Sequence, residues 1–533
     1  MKTHEISREE FHKILAEKDA IIEKQQQQID WLMSQFKLLK QKQYGSSSET
    51  IDSDQLYLFN EAESSADFSK PEPKLTEVKA HYRKRTRLTT DKLPDDLPVE
   101  IIEHSLPEED VHCKSCGHEL HVMGKEIRDE LKIIPARVVI KRHVQNVYSC
   151  RNCEKTSDRV AIVKADMPEP VMKGSFASPE SLAHIAVQKY TMALPLYRQE
   201  QEWKQRGILL SRQTMSNWLL KAGEDWLIPI CEEMKKQLLS NNVLHADETT
   251  VQVLNEPGKK AQQKSYMWLY RTSGDAKKHI ILYEYQKDRG HARPKDFLKD
   301  FKGYLHTDGY SGYHKLPDDI VIVGCLSHIR RKFFEAYKTL DKDKRDDSPS
   351  AKGVAYCDAL FGLEREFAHL APKERFKRRD KESKPLLEEF YQWIDSTYAL
   401  PKSLLGTAIG YAKSQKKYIY NYLLDGRLEI SNNRAERSIK PFVIGRKNWM
   451  FSVSQAGART SAMYYSLLIS ARENGLNPYE YLVYVFSQAP NLGKAGYAAS
   501  FSDLLPTSDK LPAELYVPKP EKQEQGIYPW EEE

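Results

Sequence analysis

A chain of 533 residues exceeds what one hydrophobic core usually organises, and 40% apolar, 10% aromatic and 29% charged residues describe a multidomain globular protein. No apolar run approaches the ~18 residues of a membrane span, and "MKTHEISREE" lacks a signal-peptide pattern, so a cytoplasmic protein without a membrane partner is expected. The net charge of +5 is small but uneven: "KAHYRKRTR", "HIRRK" and "KERFKRRDK" are basic surfaces suited to nucleic acid, and "PWEEE" is an acidic tail.

Residues 8–44 begin with a long run free of Gly and Pro in which Leu15, Ile22, Ile29 and Phe36 recur every seventh residue. Phe11, Leu32 and Leu39 form a companion seam that Lys18 and Gln25 interrupt. The pattern fits a coiled coil joining two or more copies of the chain, or an amphipathic helix laid on its own chain; the first is preferred. "YGSSSE" ends this helix, and residues 45–95 combine an acidic, Ser- and Pro-containing stretch with the basic run, a flexible linker and arm in which Arg83, Lys84 and Arg85 are candidate DNA contacts.

Residues 96–165 hold "CKSCG" and "CRNCE". Zinc takes four thiolates in a tetrahedron, and each C-x-x-C turn offers two sulfurs on one side of a tight loop, so Cys113, Cys116, Cys150 and Cys153 are the expected ligands of a structural zinc in a ribbon-like domain. Cys231, Cys325 and Cys357 read as ordinary buried thiols. Residues 170–240 read as helices, with Gly207 as a turn and Ser211 as an N-cap, so the last two helices resemble a helix-turn-helix with Arg212 at the start of its second helix. Such a pair either reads DNA or merely packs.

From residue 241 the period changes to strands: "VLHADETTVQVL", "SYMWLYRTS", "KHIILYEYQ", "KGYLHTDGYSGY" and "DDIVIVGCLSHI", with the helical "RPKDFLKD" between the third and fourth. The first buries Asp247 and Glu248 side by side, although adjacent strand residues face opposite ways and a buried carboxylate costs several kcal/mol unless a cation or donors meet it. Asp308 ends the fourth run beside the Gly309 turn. Residues 331–425 are a charged helical insertion, and residues 426–485 return to the core with "EISNNRAERSIKPFVIGRKNWMF", where Ser431, Asn432 and Asn433 are N-cap candidates and Glu436 lies near the start of the helix. Residues 486–533 form a C-terminal extension.

Asp247, Asp308 and Glu436 therefore form a candidate site of three acids without histidine, a donor set suited to two magnesium or manganese ions. Glu429 competes with Glu436 but precedes the "SNN" cap cluster. Arg434, Arg437, Lys440, Arg446 and Lys447 are candidate phosphate contacts, Trp449 a stacking face, and Arg330, Arg331 and Lys332 a second basic cluster. Pro441 is expected to end or kink the helix soon after Glu436. His328 and Cys325 offer only two metal ligands, so His328 reads as a packed histidine.

The succession of the heptad helix, "QYGSSSE", the basic arm, two C-x-x-C knuckles, "PLYRQEQ", "LHADETTVQVL", "LHTDGYSGY", "CLSHIRRKF", "SNNRAERSIKPFVIGRKNW" and "SLLISARENGLNPYEYL" resembles the large transposase of the bacterial insertion-sequence-sixty-six family over residues 10–510. That resemblance implies a DDE transposase with a ribonuclease-H-like α/β core, cutting at element ends and joining 3′ hydroxyls to target DNA. It puts the triad on Asp247, Asp308 and Glu436, and it selects Asp247 over Glu248, which strand alternation alone does not. It further implies double-stranded DNA with terminal inverted repeats as partner, nucleoid association, and small companion proteins encoded by the element. Two other classes share these features: a zinc-dependent DNA-binding regulator without catalysis, and a nuclease of the same fold that cleaves without joining.

Overall fold

The computed structural model describes Lys18 and residues 138–149, 162–341 and 345–518. The heptad run apart from Lys18, the arm with Arg83, Lys84 and Arg85, and the four zinc-ligand cysteines lie outside the described residues. Two compact units divide the chain, one of which holds Pro168–Tyr516 and the other Glu49–Met167. In the smaller unit, strand β1 (Val147–Ser149) pairs antiparallel with β2 (Ile162–Lys164), in the register Val147 to Lys164.

The larger unit opens with four helices. Helix α1 (Pro179–Tyr190) starts at Ser178, whose hydroxyl accepts the Ser181 N–H while Ser181 returns the bond, and it buries Leu182, Ala183, Ile185 and Ala186. Helices α2 (Leu196–Gln205) and α3 (Arg212–Ala222) are joined through Gly207 at φ +76°, a conformation that a side chain disfavours, and Ser211 Oγ caps α3 by accepting the Thr214 N–H at 3.1 Å. A π-helical turn leads into α4 (Ile228–Leu239).

The sheet follows. Strands β3 (Val243–Asn255), β4 (Lys264–Thr272) and β5 (Ile281–Gln286) form an antiparallel meander; helix α5 (Ala292–Phe297) then crosses to β6 (Gly303–His306) and β7 (Ile320–Val323), both parallel to the others' first strand. The order is β5-β4-β3-β6-β7. Long alternating runs favour the hairpins, whereas the short β6 and β7 require a crossover because they run parallel. Two expected strands are shorter than their sequence runs: β6 stops at His306 and leaves Asp308 in the turn beyond it, and β7 stops before Gly324, so "LSHI" becomes helix. A glycine and a cysteine between two apolar runs end the pleat, and the 3.6-residue period of the following residues decides the rest.

Helices α6 (Leu326–Lys338), α7 (Pro349–Phe367), α8 (Pro372–Arg378), α9 (Lys384–Ser396) and α10 (Leu404–Tyr420) surround a second core that includes Phe333, Leu360, Phe390 and Ile394. The chain then returns through α11 (Asn433–Trp449), the short β8 (Ser452–Ser454), α12 (Gln455–Glu473) and α13 (Pro478–Gln488). Ser470 and Ser466 of α12 accept the N–H groups of Ile281 and Tyr283 at 2.9 and 2.8 Å, which occupies donors along edge strand β5.

Helix α11 corrects one expectation, because it runs through Pro441 to Trp449 without ending. Ser438, Ile439, Phe442 and Gly445 are buried on either side of the proline, and the Tyr283 hydroxyl donates to the Ser438 carbonyl, so tertiary contacts on both flanks outweigh the one helical hydrogen bond that proline removes. The described architecture is thus a mixed α/β protein with a mixed sheet and many helices.

Candidate active site

His245 on β3 pairs in register with His306 on β6, the last residue of that strand. Each histidine stands two positions before an acid, Asp247 within β3 and Asp308 in the turn that follows β6. Asp247 Oδ1 accepts its neighbour's N–H at 2.8 Å, and Asp308 Oδ1 accepts the Tyr310 N–H at 2.9 Å, so each turns its other oxygen away from the backbone. Burial pushes the Asp247 carboxyl well above the usual carboxylate range, and the charges of Glu248, Asp308 and Glu436 push it further.

Glu436 lies in the first turn of α11, after Asn433. Its Oε2 is 3.4 Å from Arg331 Nη2, and its buried Oε1 has no hydrogen-bond partner and lies 3.7 Å from His328 Nδ1. The structure brings Cys325, His328 and Glu436 together, with donor atoms all within 4.8 Å of one another. Cys325 is already engaged: its sulfur accepts the Asn432 N–H at 3.1 Å, and burial raises its thiol to about 11.

Glu248 is the other half of the buried pair, and its compensation comes from side chains. Tyr313 donates to Oε2 at 2.6 Å and Arg289 Nε to Oε1 at 2.7 Å, while Arg289 also lies 3.8 Å from Asp308 Oδ2 and stacks over Tyr310 at 3.8 Å. Glu429 is likewise satisfied, since its Oε1 accepts from Arg434 Nε at 2.7 Å and from the Gly274 N–H at 3.2 Å. Burial alone would raise its carboxyl, but His245 and Arg434 outweigh burial and hold it well below the usual range. Both neighbours of the triad are therefore committed to partners, whereas Glu436 keeps a vacant oxygen.

The basic candidates separate into different surroundings. Arg434 turns inward to Glu429, and Arg446 Nη1 reaches the β3 hydroxyls of Thr249 and Thr250 at 3.2 and 3.0 Å, tying the end of α11 to the sheet. Arg437, Lys440 and Lys447 are exposed. Arg330 pairs with Asp358, Arg331 approaches Glu436, and Lys332 lies 4.9 Å over the Tyr411 ring. Arg212 is exposed at the start of α3, 5.7 Å over Tyr197. Trp449 is half-buried edge-on against Phe442 at 5.4 Å.

Asn432 corrects another expectation. It occupies the N-cap position of α11, yet its side chain makes no cap bond: Oδ1 faces His245 Nδ1 at 3.0 Å and Nδ2 donates to the Ala246 carbonyl at 2.8 Å. Sequence reading also passed over Arg289, Arg271 and the two histidines; the repeated H-x-D of "HAD" and "HTD" was the available signal.

Three acids with hard oxygen donors, a like-charge strain on Asp247 and an unpartnered buried Glu436 oxygen fit divalent ions of the magnesium type, which take oxygen ligands.

Comparison with known proteins places the chain in a family. Residues 174–460 match the family described as Transposase IS66 family, residues 110–154 the zinc-finger binding domain of transposase IS66, and residues 31–102 the family described as Transposase C of IS166 homeodomain. The uncharacterized protein y4qI of Sinorhizobium fredii is 28% identical over 473 residues, covering 85% of this chain and 84% of its own. The uncharacterized protein y4jD of the same organism is 30% identical over 412 residues, covering 74% of this chain and 78% of its own. With the central match spanning the sheet, the helical insertion and all three acids, the chain belongs to the IS66 transposase family.

Proposed function

We propose that this transposase is of the DDE type: it binds the terminal inverted repeats of its element, cuts there, and joins the freed 3′ hydroxyls to target DNA, using Asp247, Asp308 and Glu436. The observation that carries the reading is the convergence of charge on Asp247, whose carboxyl is pushed up first by burial, then by adjacent Glu248, and then by Asp308 and Glu436, which lie far from it in sequence. The strand order β5-β4-β3-β6-β7, with a meander followed by two parallel strands, supports a ribonuclease-H-like core interrupted by the helices between β7 and α11.

In this reading the three carboxylates hold two magnesium or manganese ions, which supply Lewis-acid polarisation of the phosphate and a nucleophilic oxygen at neutral pH. The chain's own part is alignment. The reading is supported by the position of Asp247 in β3, of Asp308 just beyond the paired β6 and of Glu436 in the first turn of α11. Exposed Arg437, Lys440 and Lys447, on the same helix, are placed to neutralise DNA phosphates, whereas Arg434 is retained by Glu429 as internal support. Arg289, shared between Glu248 and Asp308, offers a cation beside the reacting phosphate.

The zinc-finger match supports one structural zinc on Cys113, Cys116, Cys150 and Cys153. The heptad at Leu15, Ile22, Ile29 and Phe36 would pair protomers so that two element ends are held at once, with small companion proteins as possible assembly partners, in a complex working on the nucleoid.

The test incubates the protein, Mg²⁺ and DNA carrying the element's repeats. Wild type cuts and joins, and Glu436→Gln loses both by at least ~1000-fold while still binding DNA, because the amide removes a charge without changing shape. Cutting without joined product would instead indicate a nuclease, and binding without cutting a regulator.

A further inference from the structure

Each of the three acids is preceded in the chain by a residue of a second polar cluster. His245, His306 and Glu429 precede Asp247, Asp308 and Glu436 by two, two and seven positions, and all three interact: the imidazoles stack at 4.2 Å, Glu429 Oε1 is 3.6 Å from His245 Nε2, and the Glu429 N–H donates to His306 Nε2 at 3.3 Å. Both rings are fully buried. This cluster links β3 and β6, and two residues join it to the helix carrying Glu436: Arg434 bonds its Glu429, and Asn432, at the N-cap, bonds its His245.

Asn432 is 1% exposed and uses each of its polar groups. Its Nδ2 must face the Ala246 carbonyl at 2.8 Å, because only the amide nitrogen can donate there; this leaves Oδ1 for His245 and requires the hydrogen to be on His245 Nδ1. Those two bonds fall on the two residues that immediately precede Asp247 in β3. Its main chain is equally committed: the N–H goes to Cys325 Sγ at the start of α6, and the carbonyl accepts the N–H groups of Ala435 and Glu436 at 3.0 and 3.2 Å. An N-cap asparagine ordinarily spends its side chain on its own helix, and here that local bond is given up for two bonds to a distant strand. Arg271, paired with His245 across β3 and β4, adds a further tie by bonding Ser438 Oγ and both oxygens of Glu473.

We infer that Asn432, oriented by the Nδ1 hydrogen of His245, is the positioning residue that fixes Glu436 against Asp247, and so sets the affinity of the acid site for divalent ions. The inference rests on the triad reading above. Groups that orient metal ligands from behind commonly contribute 10- to 100-fold in metal affinity when removed.

The experiment is a Mn²⁺ titration of the full-length, zinc-loaded protein without DNA, read by electron paramagnetic resonance, alongside thermal melting. Asn432→Ala is expected to weaken Mn²⁺ binding by about 10- to 100-fold. His245→Asn, whose amide nitrogen reproduces the Nδ1 donor, should stay within about threefold of wild type, whereas His245→Leu should weaken binding as Asn432→Ala does. A purely structural role would lower the melting temperatures of both His245 variants together and leave Mn²⁺ affinity unchanged. Should Asn432→Ala fail to fold, the His245 pair decides. Glu436→Gln separates the two readings: if it weakens Mn²⁺ binding but Asn432→Ala and His245→Leu do not, the positioning role is overturned alone. If Glu436→Gln also binds normally, the triad reading falls and the inference with it.

Discussion

The imidazoles of His245 and His306 stack with ring centroids 4.2 Å apart and planes 11° from parallel. They belong to adjacent parallel strands in register, so this contact locks the relative slide of β3 and β6. A slip of one residue would turn the side chains of one strand to the opposite face, so the buried stack helps fix which face of β3 carries Asp247.

Asp247 should cost the metal-free protein stability. Its carboxyl is raised by burial and by three acidic neighbours, so above the ordinary aspartate value the fold must either hold a proton there or bear an unfavourable charge. Asp247→Asn is therefore expected to raise the melting temperature at pH 7 in EDTA by a few degrees, as ~1–2 kcal/mol implies for a protein of this size, and to abolish stabilisation by added Mg²⁺. Differential scanning fluorimetry in both conditions checks it.

Glu473 predicts a pH window. Burial alone would raise its carboxyl, but the guanidinium of Arg271, itself 1% exposed, holds it below the ordinary value of 4.5. A depressed folded value means that the pair's stabilisation is fully present above about 4.5 and is lost as pH falls through the lower folded value. Glu473→Gln leaves the buried Arg271 without its counter-charge and should destabilise by ~3–5 kcal/mol at pH 7. Urea unfolding from pH 7 to pH 3.5 should show that difference shrinking only below about 4.5.

Arg379 joins the helical insertion to the segment that carries Glu429. It pairs with Glu364 and donates to the carbonyls of Tyr422, Asp425 and Leu428 at 3.3, 3.1 and 2.8 Å. Arg379→Met should cost ~3–5 kcal/mol by leaving Glu364 and three carbonyls unpaired. Because the same loop leads into α11, DNA cleavage should fall as well. Chemical denaturation and a cleavage assay at a temperature where the variant stays folded measure the two effects separately.

Zinc removal tests the cysteine segment. Elemental analysis of the full-length protein should find one zinc per chain, and Cys150→Ser should lose it and lose resistance to proteolysis within residues 110–154.

Much was legible in the chain because its signals are local. The helices around residues 178–240, the cap at Ser211, the turn at Gly207 and the strand run holding Asp247 follow from periodicity and turn chemistry, which a single segment encodes. Asp247 is marked in the chain by lying, with Glu248, in an otherwise apolar and β-branched strand run. Tertiary structure alone decided the rest. Pro441 lies inside α11 because Phe442 and Ser438 are held by the sheet, and Asn432 abandons its cap for β3 because His245 and Ala246 come within reach only after nearly two hundred residues of intervening chain have folded. The surroundings of Glu429 and Glu436 are of the same kind: Arg434 and the Gly274 N–H bond to the first, and Oε1 of the second has no hydrogen-bond partner. Which polar group is already satisfied depends on partners far away in sequence, and no local pattern records that.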